Sequence, residues 1–432
     1  MGVTVLPSQT RGFPPEDLAR AREITKRVME LVGSRSDYVE AKGVDPAFAY
    51  PDGNWNGDPR NEFLRLFARV AVCDTDAIGQ LRAFTQVFSG VKLYEMQDGP
   101  VPVLERLDDY TDDAIAAKLS SNLSNLTAWK ALTEHLPYRC IFTPPWRFGE
   151  IGHDVRGVIV NPDTVIYQRL VNYLSDSGVI GWLDGLASAK GQVRVLEIGG
   201  GYGALASWFR AAFPNCSYTI LDLPECLLFS GLYLSLSRPD VRTGWGLEPV
   251  PFGMRFIPNY QADFLHEEFD LVINTVSMSE MSAIQVRRYV ALMKSRWIKS
   301  GGLFFEQNSD NRHIGLLRAQ DIFIEEFCSQ RRLSSVANLW SVGPIDLPPQ
   351  VQLLVNGYED TLYNICEFDG RIYAVHQAEG PFDIEKVQRG DTVYPVFTGA
   401  SVDDVITQLA GYVGRTRSAE RQRPSRIIAS AC

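Results

Sequence analysis

The run Val193-Arg194-Val195-Leu196-Glu197-Ile198-Gly199-Gly200-Gly201-Tyr202-Gly203 puts an acid and a glycine cluster at the end of an apolar, β-branched stretch. Glycine tolerates positive φ and lets a ligand come close to the main chain. A second acid, Asp222, ends the run Thr219-Ile220-Leu221-Asp222-Leu223-Pro224 some 20–25 residues later. At that spacing a carboxylate can accept both hydroxyls of a ribose. Further chain positions offer Asp263 and Phe264, then Asn274, then Glu280, then Glu306. The acid Asp263 can accept from an adenine amino group, and the Phe264 ring can stack on the base. These residue types suit a nucleoside-bearing ligand and a group-transfer reaction beside it.

Gly199-x-Gly201-x-x-Ala204 also satisfies the dinucleotide fingerprint. Glu197 argues between the two ligands. A carboxylate beside the turn repels a pyrophosphate. S-adenosylmethionine (SAM) carries an ammonium and a sulfonium and no phosphate, so an acid there suits it. The expected cofactor contacts are therefore Glu197, Gly199, Gly200, Gly201, Tyr202, Gly203, Asp222, Leu223, Asp263, Phe264 and Asn274. S-adenosylhomocysteine (SAH) is the expected product.

Methyl transfer to oxygen needs alignment of the reactants and removal of a proton from the nucleophile. His313 follows the Gly302–Glu306 stretch by a few residues, and His153 lies in a Pro/Trp/Arg-rich segment; either is a candidate base. Glu280 reads in two ways. As an acid at a helix start it favours the macrodipole; in a site it is a base or holds a cation. Glu306 ends an apolar run, where burial against a substrate is expected. With Glu280 it forms a second candidate chemistry, in which two carboxylates hold a guanidinium or amine. No His/Asp/Glu/Cys spacing marks a metal site.

The elements that must carry these residues alternate. Strands are expected at Val193–Ile198, Tyr218–Leu221, near Arg255–Pro258, at Phe269–Asn274 and at Gly302–Glu306. Helices are expected at Ala204–Phe213, Glu225–Leu236 and Ala283–Trp297. This β-α-β order implies a parallel sheet with right-handed crossovers. A helix is expected over 312–333, and a hairpin pairs Thr361–Glu367 with Ile372–Gln377. Residues 1–140 read as a helical N-terminal domain, a cap or a dimerisation unit, with buried helices over Asn61–Phe88. Residues 141–190 read as lid or linker helices, 191–410 as the SAM-binding domain, and 411–432 as a flexible basic tail.

The 432 residues exceed one typical domain. A net charge of -10 argues against a nucleic-acid partner. The seven cysteines form no Cys-x-x-Cys pair, which fits reduced thiols. With no signal pattern and no long apolar span, the expectation is a cytoplasmic enzyme of a small-molecule acceptor, without a membrane or metal, and a possible homodimer.

Leu196-Glu197-Ile198-Gly199-Gly200-Gly201-Tyr202-Gly203 resembles the SAM-binding motif of class I methyltransferases. An extended pattern resembles the putative sugar O-methyltransferase family. It comprises Gly157-Val158-Ile159-Val160-Asn161-Pro162-Asp163-Thr164 with Tyr167 and Gln168, Leu221 to Glu225, Leu228-Phe229-Ser230, and Ser277-Met278-Ser279-Glu280-Met281. The resemblance implies an α/β, Rossmann-like fold with a mostly parallel seven-stranded sheet whose last strand is antiparallel. The C-terminal hairpin is expected to supply that end. It also implies O-methylation of a polar small molecule. No residue matches a family catalytic base. Arginine N-methyltransferases place paired glutamates after strand four, and here only Glu280 stands there.

Overall fold

The computed structural model describes residues 3–51, 68–69, 72, 74–85, 88, 111–121, 123–134, 136–334, 336–345, 347, 350–355, 358–376, 383–405, 407–409 and 426–429. Strands β1 (Val3–Val5), β2 (Gly152–Val155) and β3 (Val158–Val160) form a small antiparallel sheet. The central sheet holds β4 (Val193–Ile198), β5 (Cys216–Asp222), β6 (Thr243–Trp245), β7 (Met254–Pro258), β8 (Leu271–Thr275), β9 (Leu303–Gln307), β10 (Ser329–Arg332) and β11 (Ala337–Ser341). Their order is β10-β11-β9-β8-β4-β5-β7-β6. Strands β4 to β9 pair in parallel, and β11 runs antiparallel to both β9 and β10.

Sequence explains why this sheet is covered on both faces. Side chains alternate across a strand. Val193 and Val195 of β4 join the core under the helices Ala204–Ala212 and Leu227–Ser237. Leu196 and Ile198 join a second core with Val286, Tyr289, Trp297 and Phe323 on the other face. Runs that are apolar on both faces are what a buried parallel sheet requires.

The far end of the sheet differs from expectation. Residues 312–333 were expected as one helix, but the helix covers only Ala319–Glu326, and Ser329–Arg332 is β10. Pairing with β11, itself placed on β9, overrides helical continuation past Phe327. The C-terminal hairpin does form, with Asp369 and Gly370 at positive φ (49° and 70°) in its turn. It does not close the central sheet, whose edge position β10 and β11 already occupy. It belongs instead to a separate antiparallel sheet of β12 (Gln350–Val355), β13 (Tyr358–Phe368), β14 (Arg371–His376), β15 (Phe397–Gly399) and β16 (Arg426–Ala429). Residues 426–429, expected in a flexible tail, thus pair with β12. The sheet also has eight strands rather than seven, since the short edge strand β6 adds to β7.

The N-terminal helices are docked on later segments. Ala21, Ile24 and Val28 of the helix Leu18–Gly33 share the core that contains Leu228 and Leu232. Val39 and Val44 pack with Tyr260, and Trp129 packs with Val158 and Val160. Of the helices expected over Asn61–Phe88, Thr75–Gly79 and Leu81–Thr85 form, with Ile78, Leu81 and Phe84 buried, while 61–67, 70–71, 73 and 86–87 lie outside the described residues, as does the stretch 410–425. Among the described residues no helix is long and apolar enough to cross a membrane.

Candidate active site

A cleft with about 710 Å³ of non-atom space, open solvent included, lies at the carboxyl ends of β4, β5, β7 and β8. Parallel sheets bind ligands there. Gly199 and Gly201 line it, and their φ values of 71° and 56° are ones a side chain resists. A Cβ on Gly199 would overlap the Ser277 hydroxyl, and one on Gly201 would lie 2.9 Å from the Cβ of Phe88. The Phe88 side chain therefore rests on the glycine turn, edge-on to the Phe229 ring at 5.2 Å.

Asp222 lines the cleft beside Leu223. Its Oδ2 accepts from the Gly201 N–H at 3.1 Å and its Oδ1 from the Leu223 N–H at 2.7 Å. Two backbone donors and the Cys226 thiol fix the carboxylate. Burial nonetheless pushes its pKa up to about 7. A ribose donating two hydroxyls would favour the ionised form, so SAH affinity is expected to fall as pH drops below about 7. Asp222→Ala removes two hydrogen bonds to a charged acceptor, and binding is expected to weaken about 100-fold. Calorimetry reading less than threefold would remove Asp222 from the cofactor role.

Glu197 does not line the cleft. It points to the same face as Val195, is buried, and accepts from the Tyr218 hydroxyl at 2.8 Å. Burial pushes it to about 8. Gly200 sits above it: a Cβ there would lie 3.1 Å from Glu197 Oε2, so that glycine serves packing. Tyr202 is also buried away from the cleft. Its hydroxyl donates to Asp163 at 3.3 Å, and the Arg82 guanidinium lies 4.2 Å from its ring centre. Arg82 in turn donates to Glu150 (2.7 Å), Asp163 (2.6 Å) and Thr85 (2.7 Å). Gly203, at φ 86°, starts the helix Ala204–Ala212 against Leu234.

Asn274 is fully buried beneath the turn. Its Nδ2 donates to the Ile198 carbonyl (2.8 Å) and to Ser277 (2.6 Å). Its Oδ1 accepts from Asn308 (3.0 Å), whose amide also donates to Glu306 (2.9 Å). Asn274 thus holds the turn from below. Asp263 pairs with Arg288 at 2.7 Å, and the Phe264 ring meets Tyr38 edge-on at 5.8 Å; neither residue lines the cleft.

Of the candidate catalytic residues, Glu280 lines the cleft, with Met281. It ends the turn Ser277–Glu280, which β8 reaches through Val276. Val276 holds a φ of 68°, rare for a β-branched residue. Its N–H donates to Gln307 at 2.7 Å, and its carbonyl accepts from the Ser279 N–H and hydroxyl. Such strain persists where surroundings over-determine it, and functional sites collect it. Glu306 is walled off. Its carboxylate accepts from Asn308, Gln320, Asn338 and Trp340, and so ties β9 to β11. His153 is buried in β2, opposite Thr4 and Val160. His313 is exposed, with Nδ1 3.1 Å from the Asp310 carbonyl oxygen. These three do not reach the cleft. Among the described residues there is no cluster able to hold a metal ion.

Sequence reading passed over Cys226, Asn259, Gln285 and Tyr289, all of which line the cleft. Gln285 and Tyr289 stand four apart on one helix, so they share a face. Asn259 follows a strand end directly, which was the available signal. The N-terminal segment also reaches this wall. Pro51 lines it, Arg35 pairs with the buried Glu225, and Gln285 donates to the Tyr50 carbonyl at 3.2 Å.

Burial also sets a pH dependence of stability. Glu197 at about 8, Asp222 at about 7 and Glu306 at about 7 are all raised above their unfolded values. Between about pH 4 and 8 the folded chain therefore holds more protons than the unfolded one, and stability falls as pH rises. The ligand-free protein is expected to melt at a higher temperature at pH 5.5 than at pH 8.5. A thermal scan showing the reverse order would refute this.

The strand order, with β11 antiparallel at the sheet end and the glycine turn after β4, defines a Rossmann-like, class I methyltransferase fold. No protein-family model matches the chain, and no curated protein matches it in sequence. Solved structures do match at low identity. They include the N-methyltransferase NodS from Bradyrhizobium japonicum with SAH (15% identity, 51% of this chain and 97% of that chain, TM-score 0.26). The bifunctional kinase-methyltransferase WbdD matches at 14% identity over 61% of this chain and 60% of its own, TM-score 0.29. CalS10, an amino pentose methyltransferase from Micromonospora echinaspora, matches with SAM bound at 16% identity over 48% of this chain and 72% of its own, TM-score 0.22.

Proposed function

We propose that the chain binds SAM in this cleft and transfers its methyl group to a small polar metabolite, most simply a sugar-type hydroxyl. The observation that carries this is the joint geometry of Asp222 and Glu280. Asp222 is hooked to the glycine turn by the Gly201 N–H, and Glu280 stands on another wall of the same cleft. The residues present fit the cofactor: a glycine backbone that a ligand can approach once the Phe88 side chain stands aside, and a cleft-lining carboxylate to accept from the ribose. Bound SAM supplies an electrophilic methyl carbon. The chain does the rest. Glu280 takes the proton from the acceptor hydroxyl, which leaves that oxygen free to bond carbon. Met281, beside Glu280, keeps water from the reacting end.

The amine reading required Glu280 and Glu306 together. With Glu306 held by four donors of its own, that reading rests on Glu280 alone. The buried, unpaired thiols Cys140, Cys216 and Cys226 support a reducing, cytoplasmic setting.

The test is acceptor-dependent SAH release with two pools, sugars with nucleotide sugars, and free amino acids including arginine. Turnover in the first pool is the expected result. Turnover with arginine alone would replace the hydroxyl reading by the amine one. A chain that neither binds SAH nor turns over would overturn the methyltransferase reading.

A further inference from the structure

Resting on the SAM reading, a buried ion pair behind the ribose-holding acid carries a further inference. Arg35 opens the helix Arg35–Lys42 and is buried together with Glu225. Its Nη2 donates to Glu225 Oε2, and its guanidinium stands over the Tyr50 ring, 5.4 Å from the ring centre. A cation in the first turn of a helix works against the macrodipole, so the helix does not select it. Stability does not select it either: two charges taken out of water together often hold a fold no better than apolar residues of the same shape. The pair's neighbours supply a reason. Glu225 belongs to the turn 224–226, which carries the chain from Asp222 into the helix Leu227–Ser237. The next residue, Cys226, lines the cleft, and its thiol donates to Asp222.

Asp222 is faced by Glu225 across its own turn, by Glu197 from β4 and by the Tyr289 hydroxyl from the helix Ala283–Leu292. Glu280 faces Cys226. A like charge beside a carboxylate favours its protonated form, and a cation favours the ionised one. Glu225 therefore works to keep a proton on Asp222, while the charge of Arg35 reaches Cys226 and works the other way. An ionised carboxylate only accepts, which is what two ribose hydroxyls require. We propose that Arg35 is a positioning residue of the cofactor site: it acts through Glu225, anchoring the turn from which Cys226 reaches Asp222 and offsetting the negative charge that Glu225 sets beside that acid. The N-terminal segment also gives Pro51 to the cleft wall. Through Arg35 it governs how far into acid the site still holds a ribose.

Calorimetry of SAH on the full chain, from about pH 5.5 to about pH 8.5, tests this. The parent chain is expected to lose affinity as pH drops below about 7. Glu225→Gln leaves the Arg35 cation unopposed, because a guanidinium stays charged throughout this range. The fall in affinity is then expected to start at least about half a pH unit lower, so that near pH 6 the variant binds SAH about threefold more tightly than the parent. Arg35→Met leaves Glu225 uncompensated and moves the fall upward by a similar amount. The double variant returns to within about twofold of the parent. Glu197, Tyr289, Cys226 and Glu280 are the same in every chain, so the differences report the pair. Damage to the fold would weaken both single variants alike and shift neither profile. Profiles that run parallel to the parent's, or that shift in the same direction, would overturn the proposal. Should Arg35→Met fail to fold, Glu225→Gln decides it alone, since a gain of affinity in acid cannot come from disruption and its lack would overturn the proposal. A parent profile flat with pH would overturn it together with the ribose role of Asp222. A parent chain that does not bind SAH would instead refute the SAM reading beneath it.

Discussion

Arg82→Met is expected to lower the unfolding free energy by about 3–5 kcal/mol, the loss typical of removing one partner from a buried ion pair. Arg82 is 1% exposed and faces two carboxylates, Glu150 and Asp163, that are equally buried. Taking the guanidinium away leaves both acids in a low-dielectric interior, where burial already pushes Glu150 up. The effect spreads because the network joins distant segments. Arg82 comes from the helix Leu81–Thr85 and its N–H donates to the Phe148 carbonyl. Asn161 donates to Glu150 at 2.8 Å, and Tyr202 brings in the glycine turn. Urea unfolding followed by tryptophan fluorescence measures the loss; a shift under about 1 kcal/mol would show that the cluster relaxes or admits water. The triple change Arg82→Met, Glu150→Gln, Asp163→Asn removes every charge at once. It is expected to recover most of the stability, since a neutral set of similar shape avoids the desolvation cost.

Glu280→Gln is expected to lower kcat by about 10²–10⁴, the usual worth of a positioned general base. The amide keeps the side chain's shape and removes its capacity to take a proton. SAH affinity should stay within about twofold, because the proposed ribose contact is Asp222 and not Glu280. Steady-state turnover alongside calorimetry separates the two. Unchanged kcat would remove Glu280 from proton transfer, and a matching loss of SAH affinity would reassign it to cofactor binding.

The parts of this fold legible in the chain were those governed by local pattern. Val193–Ile198 and the glycine cluster announce a strand and a turn because apolar runs and glycines act over a few residues. The end of the sheet was not legible. Ser329–Arg332 becomes a strand through its pairing with Ala337–Ser341 and, beyond it, β9, and no local propensity carries that information. The site divides in the same way. Asp222 and Glu280 are placed by strand ends, a positional rule that a sequence can follow. Glu197 and Glu306 also sit at strand ends, yet one faces Tyr218 and the other a cage of amides. Which face of the sheet a side chain takes, and who waits there, depends on residues such as Tyr218, Asn308 and Asn338 that come from other strands. Asn259 was missed because what holds it, the carbonyls of Phe48 and Ala49, lies more than 200 positions away.

The Phe88 side chain lies against Gly201, the surface along which a ligand's chain would have to run. Ring and ligand therefore compete for one volume. Any measured dissociation constant is the intrinsic one divided by the fraction of molecules in which the ring stands aside. If that fraction were about one in ten, a ligand would look about tenfold weaker than its contacts warrant. An absolute affinity thus reports an equilibrium of the protein together with the quality of its cradle. A ratio between two ligands of the same shape cancels that equilibrium and reports the contacts alone.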